Sequence, residues 1–386
     1  MRQSTLKATA LFLCIGALLP KANSQSSTET INVVTSAVPF LRISPDAAAG
    51  GMGDVGIATA SDANSAFWNL AKTPFAKEKS GIGFTYTPWL KDLGLTDVYL
   101  ASLAGYYKLD DEQALSASLR YFSLGNIQFT DFAGNDLQSY RPREFSVDFG
   151  YSRKLSQKLS VGVALRYINS SLANGSIGGT TYKAGNAFAG DISLFHNGKN
   201  DQGNGWNWGV VLSNLGSKIS YTNDATNKDY IPANLGLGVS YTKVFDEVNK
   251  ITFGLDINKL MVPTPPTYVG TTSVDSANLA DYRNQGVLGS WFKSFGDAGS
   301  FGNELKEFQV SLGAEYMYND QFAIRAGYFY EDKYKGNRKF FTVGAGLKYN
   351  VIGLNFSYLI PSGNGITRNP LSNTLRFGLT FDISGK

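Results

Sequence analysis

Residues 375–383 show the rule that governs most of this chain. In Leu375-Arg376-Phe377-Gly378-Leu379-Thr380-Phe381-Asp382-Ile383 every odd position is a large hydrophobe, and every even one is polar, charged or glycine. The same period of two runs through Phe145, Val147, Phe149 and Tyr151 and through Leu159, Val161, Val163, Leu165 and Tyr167. It returns at Ile251, Phe253, Leu255 and Ile257 and at Phe308, Val310, Leu312, Ala314 and Tyr316. Alternation of this kind places apolar side chains on one face of a β-strand and polar ones on the other. It predicts strands near 81–89, 97–107, 113–124, 141–153, 158–170, 186–197, 205–214, 233–245, 249–260, 306–317, 321–331, 338–349, 351–360 and 373–383.

Length decides what kind of sheet this is. Strands of soluble folds run to about five or six residues, whereas a strand that crosses a bilayer needs about 9–11. Most of the fourteen segments reach that length. Their connections alternate as well. "LDDEQ", "KLSQK", "NGKNDQGNG", "DEVNK", "YND" and Asn350 are short and polar, while 125–140, 171–185, 215–232, 261–305, 332–337 and 361–372 are longer. Short turns on one side and long loops on the other, with an even strand count, describe an outer-membrane barrel. The expected fold class is therefore all-β, a transmembrane antiparallel barrel of about fourteen strands. Its short turns and both termini are expected on the periplasmic side. Aromatics near strand ends (Tyr106, Tyr107, Trp206, Trp208, Tyr316, Tyr318, Tyr328, Tyr330, Tyr358) suit two headgroup belts.

Composition narrows the chemistry. The chain has 386 residues with one Cys, one His and 42 Gly, and charged residues make up 17%. A net charge of +4 is too small to imply nucleic acid. Residues 1–24 read as a signal peptide, with Arg2 and Lys7 before the apolar "ALFLCIGALL" and the small "ANS" before a cut ahead of Gln25. Its removal takes Arg2, Lys7 and Lys21, which lowers the charge from +4 to +1, and takes the single cysteine. The mature chain owes nothing to disulfides. His196 lacks a nucleophile or acid beside it in sequence, and no metal-ligand cluster stands out. An enzyme and a cofactor are not expected.

The even-phase positions line the lumen. They include Arg120, Arg166, Arg325, Lys348 and Arg376 against Glu144, Asp148, Asp191, Asp256, Glu315 and Asp382. Scattered charges of both signs suggest ion pairs filling a pore rather than a selective ring of one sign. A fourteen-stranded barrel is wide enough to need filling. Residues 25–80 precede the first strand and supply the expected plug, with Pro39, Pro45 and Pro74 as breaks. This segment contains Gly51-x-Gly53-x-x-Gly56, the spacing of a dinucleotide loop. The loop needs a strand before it and a helix after it. Pro45 and "IATASDANSAFWNLAKTPF" supply neither.

In the same segment "SDANSAFWNLAKTPF" resembles the signature that precedes strand one in the long-chain fatty-acid transporter family, whose N-terminal segment plugs a fourteen-stranded barrel. The fuller "VPFLRISPDAAAGGMGDVGIATASDANSAFWNLAK" resembles the PorV family, the branch of that superfamily used by the type IX secretion system of Bacteroidota. The residues carrying the likeness are Asp46, Gly50, Gly51, Gly53, Asp54, Asp62, Asn64, Trp68 and Asn69. Leu70 stands where the family usually has proline. The resemblance implies an outer-membrane shuttle. Such a protein takes secreted cargo carrying a C-terminal signal domain from the translocon barrel and presents it to a sortase-like surface attachment complex. An outer-membrane transporter of hydrophobic small molecules such as long-chain fatty acids is the alternative.

The longest connection, 261–305, opens with Pro263, Pro265 and Pro266, which stiffen it. Val287, Leu288, Trp291, Phe292 and Phe295 then follow at near-helical spacing. They make an apolar face, either a lid on the barrel mouth or a docking surface for cargo or translocon.

Overall fold

The computed structural model describes residues 32–91, 94–131, 133–177, 179–224, 228–267, 270–361 and 373–383. The signal peptide and the first residues of the expected plug lie outside them, as does most of the 361–372 loop. In chain order the strands are β1 Ser80–Pro88, β2 Val98–Lys108, β3 Gln113–Leu124, β4 Ile127–Thr130, β5 Asp136–Tyr140, β6 Arg143–Lys154, β7 Leu159–Ser171, β8 Gly175–Ile177 and β9 Thr180–Tyr182. They continue as β10 Gly185–Lys199, β11 Gly205–Gly216, β12 Asn234–Val244, β13 Asn249–Leu260, β14 Phe308–Tyr318, β15 Phe322–Tyr330, β16 Lys339–Tyr349, β17 Ile352–Pro361 and β18 Leu375–Ile383.

Fourteen of these close into one antiparallel barrel, and β4–β5 and β8–β9 are hairpins inside two of the long connections. Each of the fourteen expected segments became one barrel strand. Closure is made by β1 against β18, from Ser80 opposite Ile383 to Tyr86 opposite Phe377. It leaves no open edge, which lipid demands, since an unpaired backbone group in hydrocarbon costs several kcal/mol. Large apolar side chains such as Leu165, Ile324 and Phe149 stand exposed in mid-strand, Leu165 at 77%. Their neighbours Arg166, Arg325 and Asp148 are buried. Apolar outside and polar inside is the inverse of a soluble sheet, and it fits a bilayer.

The short turns are made by residues that tolerate left-handed backbone. Asn319 and Asp320 have φ of 53° and 52°, and Asn350 has 52°. Two successive left-handed residues match the twist of an antiparallel pair. At the other end, the longest connection folds into helices Thr272–Asn284, Val287–Lys293 and Phe301–Leu305.

The described part of the N-terminal segment, from Asn32 on, starts at the long-loop end. Asn32 Nδ2 donates to Pro265 O at 3.0 Å, and Ala37 N to Tyr230 O at 2.8 Å. Both acceptors lie in long connections. The segment then descends through short helices at Pro39–Arg42, Ala47–Gly50, Ser65–Trp68 and Leu70–Phe75 before β1 starts at the short-turn end. An even strand count places the start of β1 and the end of β18 together. It says nothing about where the residues before β1 lie.

Candidate functional site

Asp46 organises the first half of the N-terminal segment. Its carboxylate caps helix Ala47–Gly50, accepting from Ala48 N at 2.9 Å and Ala49 N at 3.2 Å. It also accepts from Asn64 Nδ2 at 3.1 Å and Trp68 Nε1 at 3.3 Å. Asp62 braces the turn that leads into Ser65–Trp68, accepting from Asn64 N at 3.0 Å. Asn69 caps Leu70–Phe75 through Ala71 N at 3.0 Å and donates to Ile57 O and to Leu194 O of β10, at 3.1 and 3.0 Å. Leu70 is the first residue of that turn, a position that also suits proline, so the departure from the family pattern leaves the turn unchanged.

The glycines serve close approach. Gly51 packs on Gly344 of β16, and a Cβ on Gly313 or Gly327 would collide with the backbone at Met52. Gly53 has φ +71° and donates its N–H to Thr342 Oγ1 at 2.8 Å. The amides of Gly56 and Ile57 both reach Asp256 Oδ2 of β13, at 2.7 and 2.9 Å. These amides do bind an anion, and that anion is a carboxylate of the barrel wall. Lys72, which no sequence pattern singled out, is buried with its Nζ on Gly56 O at 2.6 Å.

The lumen charges divide into two groups. Arg166 pairs with Asp148 and with Asp191, the latter at 2.9 Å, and Ser118 donates to Asp148 at 2.6 Å. Arg325 pairs with Glu315 at 2.7 Å and Lys348 with Asp382 at 2.6 Å. The remainder are not ion pairs across a pore. Asp256 holds the segment, and Arg376 Nη2 faces its Asp54 Oδ1 at 3.7 Å. Arg120 donates to Leu41 O at 2.6 Å, while Glu144 accepts from Ser170 Oγ at 2.6 Å. Part of the expected ion pairing is therefore present, between nearby strands, while the other charges meet the N-terminal segment or a neighbouring serine.

The two ends of the lumen differ. At the long-loop end Val38, Phe40 and Leu41 pack with Trp89, Leu100, Phe122, Ile168, Ile219 and Ile231 in an apolar core. Toward the short-turn end there is a cavity of about 570 Å³ with a mixed lining, in which Met52, Val55, Phe75 and Phe195 stand beside charged residues. Lys77, Lys199, Lys250, Glu315 and Asp320 are among its lining residues.

The long connection is tied to the rim. Lys218 Nζ donates to Arg283 O and Gln285 O at 2.6 and 2.7 Å, and burial lowers its pKa. Lys259 has the strand phase of the lipid-facing Phe253 and Leu255, yet it is buried, paired with Glu307 at 2.5 Å and Glu304 at 3.4 Å. Phe295 lies over its ammonium at 5.4 Å. The loop therefore folds over the outer flank of β13. Asp297 approaches Glu304 and Glu307, but Lys259, Lys335 and Thr264 already satisfy these acids.

Of the residues expected on the loop's apolar face, Leu288, Phe292 and Phe295 are exposed, Phe292 at 80%. Val287 and Trp291 are half-buried beside buried Ser290 and Ser294. Phe301 and Leu305 of the same connection are exposed as well. Ring contacts follow the outer end of the wall from Tyr86 through Tyr99 to Tyr121, and from Phe145 through Tyr167 to Phe188. On β11 and β12 the outward residues Leu212 and Leu235 pair with each other, and Lys259 stands opposite Leu235 on β13. His196 stacks on Trp208 at 5.3 Å, a place in the opposite belt rather than beside an acid.

Comparisons with known proteins agree with this architecture. No curated protein sequence matches the chain. The toluene transporter TbuX of Ralstonia pickettii is 13% identical, with a TM-score of 0.50 over 87% of this chain and 97% of its own. The toluene transporter TodX of Pseudomonas putida is 13% identical, with a TM-score of 0.49 over 86% and 95%. A Pseudomonas aeruginosa FadL homologue is 11% identical, with a TM-score of 0.44 over 92% and 100%. At such identity the TbuX likeness speaks for the fold alone. The family model for the type IX secretion system protein PorV matches residues 25–267, more than half of the chain. This fourteen-stranded outer-membrane barrel belongs to the PorV family of the type IX secretion system.

Proposed function

We propose that this protein is a surface shuttle. It binds secreted cargo carrying a C-terminal signal domain at the translocon barrel and delivers it to the sortase-like attachment complex. The residues Leu288, Phe292 and Phe295, with Val287 and Trp291 behind them, are the docking face. They engage the translocon barrel, a partner seated in the same membrane. The observation that carries the reading is a set of exposed apolar side chains on a loop pinned by buried ion pairs to Lys259 of β13. Large exposed apolar patches rimmed by polar residues mark interaction sites.

The alternative, transport of hydrophobic small molecules, calls for an apolar pocket in the lumen. Here Val38, Phe40 and Leu41 occupy the apolar long-loop end, and the cavity toward the short-turn end carries charges of both signs, Lys77, Lys199, Lys250, Glu315 and Asp320, among its apolar side chains. The N-terminal segment acts as a plug in this reading, and lipids surround the wall. Affinity purification from outer membranes with mass spectrometry tests it. A large translocon barrel or signal-bearing cargo among the partners supports the shuttle. Fatty acid or hydrocarbon alone favours the transporter.

A further inference from the structure

The connection 215–232 touches both the N-terminal segment and the long outer loop. Its two limbs are held side by side by paired backbone hydrogen bonds between Ile219 and Asp229, each at 2.9 Å. Toward the lumen, Ile219 and Ile231 are buried in the same apolar core as Val38, Phe40 and Leu41. Ala37 N, in the N-terminal segment, donates to Tyr230 O at 2.8 Å. Toward the outer loop, Lys218, Asp229 and Tyr230 hold the C-terminal end of helix Thr272–Asn284. Tyr230 Oη lies 3.1 Å from Tyr282 O and 3.2 Å from Gln285 O, and Lys218 Nζ donates to Arg283 O and Gln285 O. Asp229 pairs with Arg283 at 3.4 Å. The last carbonyls of a helix have no partner within it, and a cation there also suits the helix dipole. Gln285 stands two residues before helix Val287–Lys293, so the clamp sets the start of the docking helix.

We propose that the clamp of Lys218, Asp229 and Tyr230 makes the position of the docking helix depend on the seating of the N-terminal segment. With the segment seated, the shared core holds 215–232 in place and the clamp holds the start of helix Val287–Lys293. A preorganised face binds more tightly, because less ordering remains to be done on association. Linkage is reciprocal, so a partner bound at the docking face steadies residues 37–43 in return. This adds regulation to the docking reading above and rests on it for the partner: a segment drawn out of the lumen releases the translocon barrel.

Hydrogen exchange on the full-length protein in detergent tests the coupling with no partner present. Phe40 is fully buried in the lumen core, so Phe40→Ala should loosen the segment, seen as faster exchange at residues 37–43. Ala37→Pro is a second variant, which removes the hydrogen bond to Tyr230 O. Either change should speed exchange of residues 287–295 about tenfold, within the usual range of couplings between sites. In the double variant Lys218→Met and Tyr230→Phe that exchange should already be fast, and Phe40→Ala should add nothing. Lys218→Arg, which keeps a donor for the carbonyls, should behave as wild type. Residues in one network act non-additively, so additive effects of core and clamp changes would overturn the proposal. So would residues 287–295 that ignore a loosened segment. Binding of purified translocon barrel gives the second readout, and Phe40→Ala should weaken it about tenfold. If wild type does not bind that barrel, the docking reading falls and exchange still decides the coupling. If wild type binds and a loosened segment changes neither affinity nor exchange, the coupling alone falls.

Discussion

Asp256 shows how one side chain can carry a large structural consequence. Two amides of the N-terminal segment converge on one of its oxygens, and hydrogen bonds to a charged group are worth about 1.5–3 kcal/mol each. Asp256→Asn should lower hydrogen-exchange protection of Gly56 and Ile57 by about that much for one bond, while strand amides keep theirs. Gly327 makes the same point sterically, since a Cβ there would meet Met52 and Gly53. Gly327→Val should leave a heat-modifiable, assembled barrel whose residues 44–60 are cut by protease added to detergent-solubilised protein. Protection equal to wild type would mean that the segment can move aside. Facing lipid, Val163→Arg and Leu379→Arg should each cost about 2–4 kcal/mol at mid-membrane. Polar exchange at the adjoining lumen positions Ala164 and Thr380 should be tolerated. Equal tolerance on both phases, measured by folding into lipid vesicles, would contradict the barrel's sidedness.

At the level of elements, the long outer connection is the part that reaches for a partner. Its helices are pinned from beneath by Lys218, Lys259 and Lys335, so its apolar face can change without disturbing the wall. Replacing Leu288, Phe292 and Phe295 by Ser should leave assembly intact. If each is an anchor it contributes about 2 kcal/mol or more to binding, so the triple variant should release the translocon. Signal-bearing cargo should then fail to become anchored at the surface. Normal anchoring at normal protein level would reduce this face to a lid. Docking would then have to be sought in the hairpins β4–β5 and β8–β9 or in 361–372.

For the whole molecule, the N-terminal segment and the barrel depend on each other unequally. Strand hydrogen bonds close around the ring without help from residues 25–72, whereas the segment's caps and glycines are useful only against the wall. Deleting 25–72 should give an assembled barrel with an open lumen and raise sensitivity to large antibiotics. Unchanged permeability in an assembled variant would show that the outer loops alone seal the mouth.

The sequence by itself determined the barrel. Period-two alternation, strand length and the rhythm of short and long connections are local properties, and pairing of chain neighbours follows from them. It also marked Asp46, Asp62 and Asn69 as part of a family likeness, and Asp46 and Asn69 cap the helical turns that follow them, since a capping residue acts within a few positions of its own place in the chain. Only the tertiary structure decided the direction in which the N-terminal segment threads the lumen. It alone showed that Asp256 meets the amides of Gly56 and Ile57. It also revealed buried Lys72, and the covering of the outward-phase Lys259 by acids that follow it by more than forty positions. The physical reason is common to these cases. A charge reports in sequence only that it needs a partner, and which partner it finds depends on contacts between residues far apart in the chain.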